Sequence, residues 1–316
     1  MSTALAAFAA LLLAQAGAMP VDDSAGPHSQ PATTTTVDPL TIDRYERLTV
    51  PVTIRGEDFR FLIDTGAQAT AVTRRVTERL ALEPDGVATL VAMGSRKQVP
   101  TVELHDLEFA DRSFSNLTSP LLEAHHIGAD GILGLDSLQD LRVLIDFREN
   151  SIAVDDAHEL GGNSGFEIVV RARRKLGRMI ISNATIDGVK TAVIIDTGAQ
   201  NSVGNLALLR KLRARQGAEV IATDVNGATL TSRIGVAREL EIGNLTMQSI
   251  PIGFADSPAL DALGLGKRPA LILGMRNLRL FDRVAIDFAT RRVFFDLPRG
   301  TGRTRPMRDI FLPSRI

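Results

Sequence analysis

Two aspartates stand in identical surroundings in the two halves of this chain. The hexapeptide Ile-Asp-Thr-Gly-Ala-Gln occupies residues 63–68 and recurs at residues 195–200, placing Asp64 and Asp196 in equivalent positions. Each aspartate follows an apolar run, where an ionised carboxylate is costly to bury unless it is hydrogen-bonded or shares a proton. Two such carboxyl groups in contact cannot both ionise, so the pair would hold an acid and a base together. Asp64 and Asp196 are therefore candidate catalytic residues that could activate a water molecule.

The neighbours of the two aspartates suit a close approach of two loops. Gly66 and Gly198 permit a tight turn and close contact between two backbones. The hydroxyl groups of Thr65 and Thr197 each offer a donor and an acceptor that could fix a loop. These four residues are therefore candidate supporting residues of the site.

Further repeats follow in the same order and indicate a duplicated domain. The tripeptide Ile-Leu-Gly lies at 132–134 and again at 272–274, and Ile-Asp-Phe lies at 145–147 and again at 286–288. Asp146 and Asp287 follow separate apolar runs near the end of each repeat. We interpret them as strand-end or turn residues rather than catalytic ones.

The elements that must position the aspartates are predicted to be mostly strands. Apolar residues alternate at 50–54 and resume at Phe59 and Phe61, leading to the first aspartate. The second copy has the same shape, with a hairpin turn at Asp187-Gly188. Short helices are predicted at 73–81, at 206–213 and at 137–141, the last with Asp136 as its cap.

Composition limits the available chemistry. The chain has 316 residues, 44% of them apolar, which is enough for a folded core, and it has no cysteine for a thiol nucleophile, disulfide or thiolate metal site. The 36 basic and 37 acidic residues nearly cancel and tryptophan is absent, which argues against nucleic acid as a partner. His125 and His126 have no ligand-spaced partner, and residues 264–267 lack the spacing of a phosphate loop. We therefore expect neither a metal nor an organic cofactor.

Composition also divides the chain into segments. We assign 1–18 to a signal peptide, 19–40 to a flexible spacer, 41–155 and 166–298 to two lobes, 156–165 to a linker that packs poorly, and 299–316 to a basic tail. Residues 4–14 are apolar and Ala16-Gly17-Ala18 fits a cleavage site, so we expect a secreted or periplasmic protein cleaved near Ala18. Because no basic side chain precedes the apolar run, a buried N-terminal helix stays open. No later segment is apolar and long enough for an integral membrane helix.

The paired motifs resemble the aspartic proteases of the pepsin and retropepsin type. Asp-Thr-Gly-Ala at 64–67 and 196–199, each followed later by two apolar residues and a glycine, is similar to the retropepsin unit repeated in tandem. The resemblance covers about 41–298 and implies an all-β protein with two retropepsin-like β-barrel lobes and an active cleft between them. It also implies that the two aspartates form a catalytic dyad, that the two threonines cross-brace the loops, and that the chain works as a single-chain pseudo-dimer.

The resemblance further implies a β-hairpin flap over the site in at least one lobe. The first candidate is residues 91–102, with Met93, Gly94 and Ser95 near its tip; the second is residues 221–234, with Asn226 and Gly227 as a hairpin turn. Neither contains the tyrosine found in pepsin flaps, so we do not expect pepsin-like flap chemistry.

The function implied by the resemblance is that of an aspartic endopeptidase. Its substrate would be a polypeptide bound in extended form, with apolar side chains flanking the scissile bond. The signal peptide and the absence of cysteine make the chain look like a bacterial secreted member. Two alternatives stay open: an inactive retropepsin-like peptide-binding module, and a duplicated β-domain in which the Asp-Thr-Gly turns merely cap strands.

Overall fold

A computed structural model describes residues 47–175, 178–212 and 216–298, together with four short strands nearer the N-terminus. Those strands are β1 (Ala6–Phe8), β2 (Leu12–Leu13), β3 (Val37–Pro39) and β4 (Thr41–Ile42). Most of the predicted signal peptide and spacer, and the predicted tail at 299–316, lie outside the described residues. Strand β3 falls within the predicted spacer, so the end of that range belongs to a sheet.

The first lobe consists of strands with three short helices. Its strands are β5 (Leu48–Ile54), β6 (Glu57–Ile63), β7 (Ala71–Thr73), β8 (Gly86–Val91), β9 (Arg96–Leu104), β10 (Leu107–Phe109), β11 (Arg112–Phe114), β12 (Leu117–Leu122), β13 (Gly131–Leu133), β14 (Arg142–Asp146) and β15 (Ser151–Asp155). Its helices are α1 (Arg74–Arg79), α2 (Ala124–Ile127) and α3 (Leu135–Leu138).

The second lobe repeats this order. Its strands are β16 (Ile168–Arg171), β17 (Arg173–Lys175), β18 (Arg178–Ile186), β19 (Val189–Ile195), β20 (Val203–Asn205), β21 (Gln216–Asp224), β22 (Thr229–Ile242), β23 (Leu245–Ala255), β24 (Ala270–Leu273), β25 (Arg283–Asp287) and β26 (Arg292–Asp296). Its helices are α4 (Leu206–Leu212), α5 (Pro258–Ala262) and α6 (Met275–Leu278).

Equivalent strands pair in the same way in both lobes, which confirms the all-β duplicated fold. The strand leading to each aspartate lies parallel to the strand that carries the Ile-Leu-Gly repeat: β6 pairs with β13, and β19 pairs with β24. In the second lobe a ring of six strands closes as β22–β23–β20–β24–β19–β18, because β18 also pairs with β22. The alternation in β5, where Val50, Val52 and Ile54 are buried, places its apolar face in the core.

A third sheet joins the lobes. It has six strands in the order β16–β26–β25–β14–β15–β3, and its central pair is antiparallel β14–β25, one strand from each lobe. Asp146 and Asp287 are the last residues of these two strands, as predicted for strand-end residues. Asp287 is fully buried, and its carboxylate pairs with the buried guanidinium of Arg142 at 2.6 Å. The lobes are therefore held together by a backbone ladder and a buried ion pair.

The residues of the predicted linker are exposed or half-buried, and its glycine-rich turn binds arginines of the joining sheet. Arg142 donates to the carbonyl of Gly162 and, at 2.7 Å, to the side-chain oxygen of Asn163. Arg283 donates to the carbonyl of Gly165 at 2.7 Å. The glycine-rich turn thus supplies acceptors to two arginines of the joining sheet, and these contacts fix residues 162–165.

The predicted helices are present, with one correction. Helices α1 and α4 fall within the ranges predicted for them, whereas α3 begins at Leu135 and contains Asp136 in its first turn. The carboxylate of Asp136 accepts hydrogen bonds from the amide (2.9 Å) and hydroxyl (2.7 Å) of Thr70, so it binds a neighbouring loop rather than capping the helix. Among the described residues, no helix combines the length and apolarity needed to cross a bilayer.

Candidate active site

The two repeated aspartates meet at the boundary between the lobes. Asp64 follows β6 and Asp196 follows β19, and the amide of each donates at 3.1 Å to a carbonyl of its neighbouring parallel strand, that of Leu133 or of Leu273. Both side chains are buried, and each carboxyl group lies against the glycine of the opposite motif. Two carboxyl groups that lie 132 positions apart in sequence therefore form one pair.

The backbone of each loop holds one oxygen of its own aspartate. Oδ1 of Asp64 accepts from the amides of Gly66 (2.8 Å) and Ala67 (2.9 Å). Oδ1 of Asp196 accepts from the amides of Gly198 (2.9 Å) and Ala199 (3.2 Å). Oδ2 of Asp64 is buried, lies against Gly198 and has no backbone donor of this kind. The two aspartates are thus fixed before any ligand arrives.

The threonines of the two motifs cross-brace the loops. The hydroxyl of Thr65 accepts from the amide of Thr197 (3.2 Å) and donates to the carbonyl of Ile195 (2.9 Å). The hydroxyl of Thr197 accepts from the amide of Thr65 (3.1 Å) and donates to the carbonyl of Ile63 (2.7 Å). Four hydrogen bonds therefore cross the boundary next to the aspartates, in a nearly symmetric arrangement.

Gly66 and Gly198 are glycines because each lies against the opposite aspartate. A Cβ on Gly66 would come within 2.4 Å of Oδ2 of Asp196, and a Cβ on Gly198 within 2.2 Å of the Cγ of Asp64. No side chain fits at either position. The two glycines thus permit the loop-to-loop contact that brings the carboxyl groups together.

The protonation of the pair is asymmetric. Burial raises the pKa of Asp64 to about 6, against the lowering effects of the Gly66 amide, the Asp196 carboxyl and two arginines. Burial also raises the pKa of Asp196 well above its usual range, and the charge and hydrogen bond of Asp64 raise it further. The two carboxyl groups therefore titrate as one unit, in which the charge of Asp64 favours the protonated form of Asp196.

A buried arginine completes the electrostatics of the pair. Arg178, the first residue of β18, donates to the carbonyl of Gly66 in the opposite lobe, and its positive charge acts on both aspartates. Arg47 precedes β5 in the first lobe and donates instead to the carbonyl of Ile127. The sequence interpretation missed both arginines, although a basic residue at nearly equal distance before each aspartate was a usable signal.

Both predicted flap candidates form hairpins over the pair. We define the first flap as residues 86–101 of β8 and β9, and the second flap as residues 216–235 of β21 and β22. Residues 93–95 lie at the tip of the first flap, and 226–227 at the tip of the second. The sequence signal favoured a two-residue turn at Asn226-Gly227, but the loop has three residues and only Gly227 has a positive φ, +80°.

Each flap tip inserts an apolar side chain into the opposite lobe. Met93 is buried in a cluster with second-lobe residues that include Ala199 and Leu260. Val225 is buried in a cluster with first-lobe residues that include Ala67 and Leu122. The tip of each flap therefore packs against the opposite lobe, next to the residue that follows its Asp-Thr-Gly motif.

A carboxylate also joins the flap tips. Asp224 accepts from the hydroxyl of Ser95 at 2.6 Å and from the amide of Gly94 at 3.2 Å, both across the lobe boundary. The side chain of Asn226 adds a 2.9 Å hydrogen bond to the same hydroxyl. The sequence interpretation missed Asp224, because an acidic residue before Asn-Gly is itself typical of a turn.

The histidines noted in the sequence lie beside the second flap. His126 is in α2, and its ring occupies the space that a Cβ on Gly227 would need, with Cε1 2.4 Å from that position. No group of three or more metal-ligating side chains occurs among the described residues. The histidine therefore packs against the flap tip.

Comparisons with known families match each lobe separately. The family described as gag-polyprotein putative aspartyl protease matches residues 50–140, and the family described as aspartyl protease matches residues 182–276. Each matched range contains one Asp-Thr-Gly motif and one flap. A comparison with curated proteins finds no match.

Proposed function

Because the chain belongs to the retropepsin-like aspartyl proteases, with one such domain in each lobe, we propose that it is an aspartic endopeptidase with Asp64 and Asp196 as its catalytic dyad. The observation that carries this proposal is the pair of buried carboxyl groups, one from each lobe, brought together by the two glycines. No cofactor is needed, since the pair itself supplies both acid and base.

The asymmetric protonation assigns a role to each aspartate. Ionised Asp64 would accept a proton from a water molecule, whose oxygen attacks the peptide carbonyl carbon. Protonated Asp196 would donate its proton to the carbonyl oxygen, giving a neutral tetrahedral intermediate. When the C–N bond breaks, the proton now held by Asp64 passes to the leaving nitrogen, and the intermediate returns a proton to Asp196. The dyad ends the cycle with the one proton with which it began.

The backbone edges of strands β8 and β21 in the two flaps support an extended polypeptide as substrate. Strand β2 pairs antiparallel with β8 of the first flap, and strand β1 pairs parallel with β21 of the second flap. Two short apolar strands of this chain thus add to the flap edges, by the backbone pairing that a bound peptide would use. The apolar clusters beside Ala67 and Ala199 favour apolar side chains next to the scissile bond.

The proposal is tested by cleavage of a peptide library, with and without pepstatin. We expect pepstatin-sensitive cleavage, lost in Asp64→Asn and in Asp196→Asn, with the double variant no worse than either single variant, because the dyad acts as one unit. Asp187→Asn, in the turn between β18 and β19, is the matched control and should retain activity. Peptide binding without cleavage by the unmodified chain would favour the inactive binding module instead.

We also propose that the protein acts outside the cytoplasm after removal of residues 1–18. Strand β1 pairs with β21, and strand β2 pairs with β8, so removal of residues 1–18 would leave the edges of β21 and β8 free to pair with a peptide. N-terminal sequencing of the mature protein should give a start near Met19, and a retained Met1 on soluble cytoplasmic protein would refute this localisation.

A further inference from the structure

The two oxygens of the Asp224 carboxylate have different partners. Oδ1 accepts from the amides of Asn226 (2.9 Å) and Ala228 (3.0 Å), which shapes the tip of its own flap. Oδ2 accepts from Gly94 and Ser95 of the other flap. One fully buried side chain therefore both builds one flap tip and holds the other.

This contact has no counterpart on the other flap. The residues that pair at the base of each tip loop are Ala92 with Ser95 in the first flap and Asp224 with Ala228 in the second. Ala92 thus stands where Asp224 stands in the second flap, and it has no polar side chain. The contact is therefore asymmetric: the second flap supplies the carboxylate, and the first flap supplies both donors.

We propose that Asp224 is a positioning residue that latches the two flaps over the dyad, and that release of its contact with Ser95 and Gly94 opens the cleft to peptide. The inference rests on the proposed function, because it assigns to the flaps the admission of a substrate. Hydrogen bonds to a carboxylate are about twice as strong as those between neutral groups, which suits a latch made of two contacts.

The contacts that form the latch can be separated by mutation from those by which Asp224 stabilises its own turn. The turn uses Oδ1 and amides of the same flap, whereas the latch uses Oδ2 and donors of the opposite lobe. Ser95→Ala removes a latch donor and leaves every contact within the second flap in place. Ser95→Thr keeps the hydroxyl group and serves as the conservative rescue.

The first measurement is hydrogen exchange of the Gly94 amide in the full chain. Asp224→Asn and Ser95→Ala should each accelerate this exchange by about tenfold to a hundredfold, the range expected for hydrogen bonds to a charged acceptor. The double variant should match Asp224→Asn alone, because both changes break the same contact. Ser95→Thr should exchange like the unmodified chain. Asp85→Asn, at the exposed base of the first flap, is the matched control and should also leave exchange unchanged.

The second measurement is the binding kinetics of pepstatin. If the latch is formed both in the free protein and in the closed complex, its free energy contributes equally to the two states and does not change the dissociation constant. It does slow the opening of the flaps. Association and dissociation rates should therefore rise together by about the factor seen in exchange, while Kd stays within about threefold.

Two results would overturn the latch. One is unchanged Gly94 exchange in Ser95→Ala; the other is a weakened Kd with an unchanged association rate, which would make the contact a clamp on the ligand. If pepstatin does not bind the unmodified chain, that result counts against the proposed protease, and Gly94 exchange alone decides the latch.

Discussion

Arg178 places a fixed positive charge beside two carboxyl groups that burial would otherwise keep protonated. Its guanidinium contacts the carbonyl of Gly66, the residue that lies against Asp196 and whose amide binds Asp64. Burial lowers the pKa of Arg178 to about 10, and the two aspartates oppose that shift, so the side chain remains charged at neutral pH. The charge favours ionisation of the pair, and it therefore extends toward acid the pH range in which Asp64 is ionised.

Removal of this charge should move the pH–rate profile toward alkaline pH. Without the cation both dyad pKa values rise, so the pH at which Asp64 ionises and the pH at which the second proton is lost both increase, by roughly one unit. We expect this shift of kcat/KM in Arg178→Gln, which keeps a donor for Gly66, and little shift in Arg178→Lys, which keeps the charge.

Arg47→Gln is the comparator from the other lobe. Its charge lowers the pKa of Asp64 less than the charge of Arg178 does, so the pH–rate profile of Arg47→Gln should shift less. Equal shifts in Arg178→Lys and Arg178→Gln would show that shape rather than charge matters at this position. Thermal unfolding of each variant checks that the fold is retained.

Sequence predicted the carboxyl pair but not its electrostatic setting, for a physical reason. The Asp-Thr-Gly motif carries its own local hydrogen bonds, since Gly66 and Ala67 hold Asp64 within three residues. The contact of Arg178 with Gly66 spans 112 residues, and the repeated spacing of a basic residue before each aspartate indicates the arginine but not its partner in the other lobe. The supporting threonines were predictable because the same residues recur in both motifs.

At the scale of elements, local periodicity predicted the strands and helices better than their partners. The alternation of β5 and the turns of α1 and α4 depend on near neighbours, and they follow the sequence closely. The joining sheet pairs β14 with β25, which are far apart in sequence, and its buried Arg142–Asp287 pair reads in sequence as two ordinary polar residues. The hydrogen bonds of the linker turn were not predicted for the same reason, since their donors are the distant Arg142 and Arg283.

Loss of the buried ion pair should be costly. Arg142→Met leaves the carboxylate of Asp287 buried without its cation, and we expect a loss of about 3–5 kcal/mol in the free energy of unfolding. Arg112→Met breaks the exposed pair with Asp156 (2.7 Å) and should cost at most about 1 kcal/mol. Urea unfolding of the two variants compares them directly. Adding Asp287→Asn to Arg142→Met should recover part of the loss, and equal costs for the two arginine variants would argue against a stabilising role of the buried pair.

At the scale of the whole molecule, the two lobes act as the two halves of a dimer within one chain. Each half brings one aspartate, one threonine brace and one flap, and the joining sheet draws strands from both. Family matches to each lobe describe the same duplication. The halves are nevertheless unequal, as Asp224 and Ala92 show.

A single chain should therefore be active without self-association. We expect turnover per molecule to stay constant on dilution, with sedimentation showing a monomer, because the linker keeps the halves at high effective concentration. Mixing Asp64→Asn with Asp196→Asn chains should restore no activity. Activity that falls on dilution, or that returns on mixing, would place the dyad between two chains.

Because the joining sheet connects the two lobes, the linker is not needed to hold the folded lobes together. Five residue pairs of β14 and β25 hold the lobes together, and the buried ion pair lies at one end of that ladder. A chain cut between residues 156 and 165 would consequently remain one particle, since the ladder does not depend on the peptide bonds of the linker. The covalent link matters earlier, during synthesis. It ensures that the two unequal lobes are made in equal amounts, and it favours pairing of the first lobe with the second lobe over pairing of two copies of the same lobe.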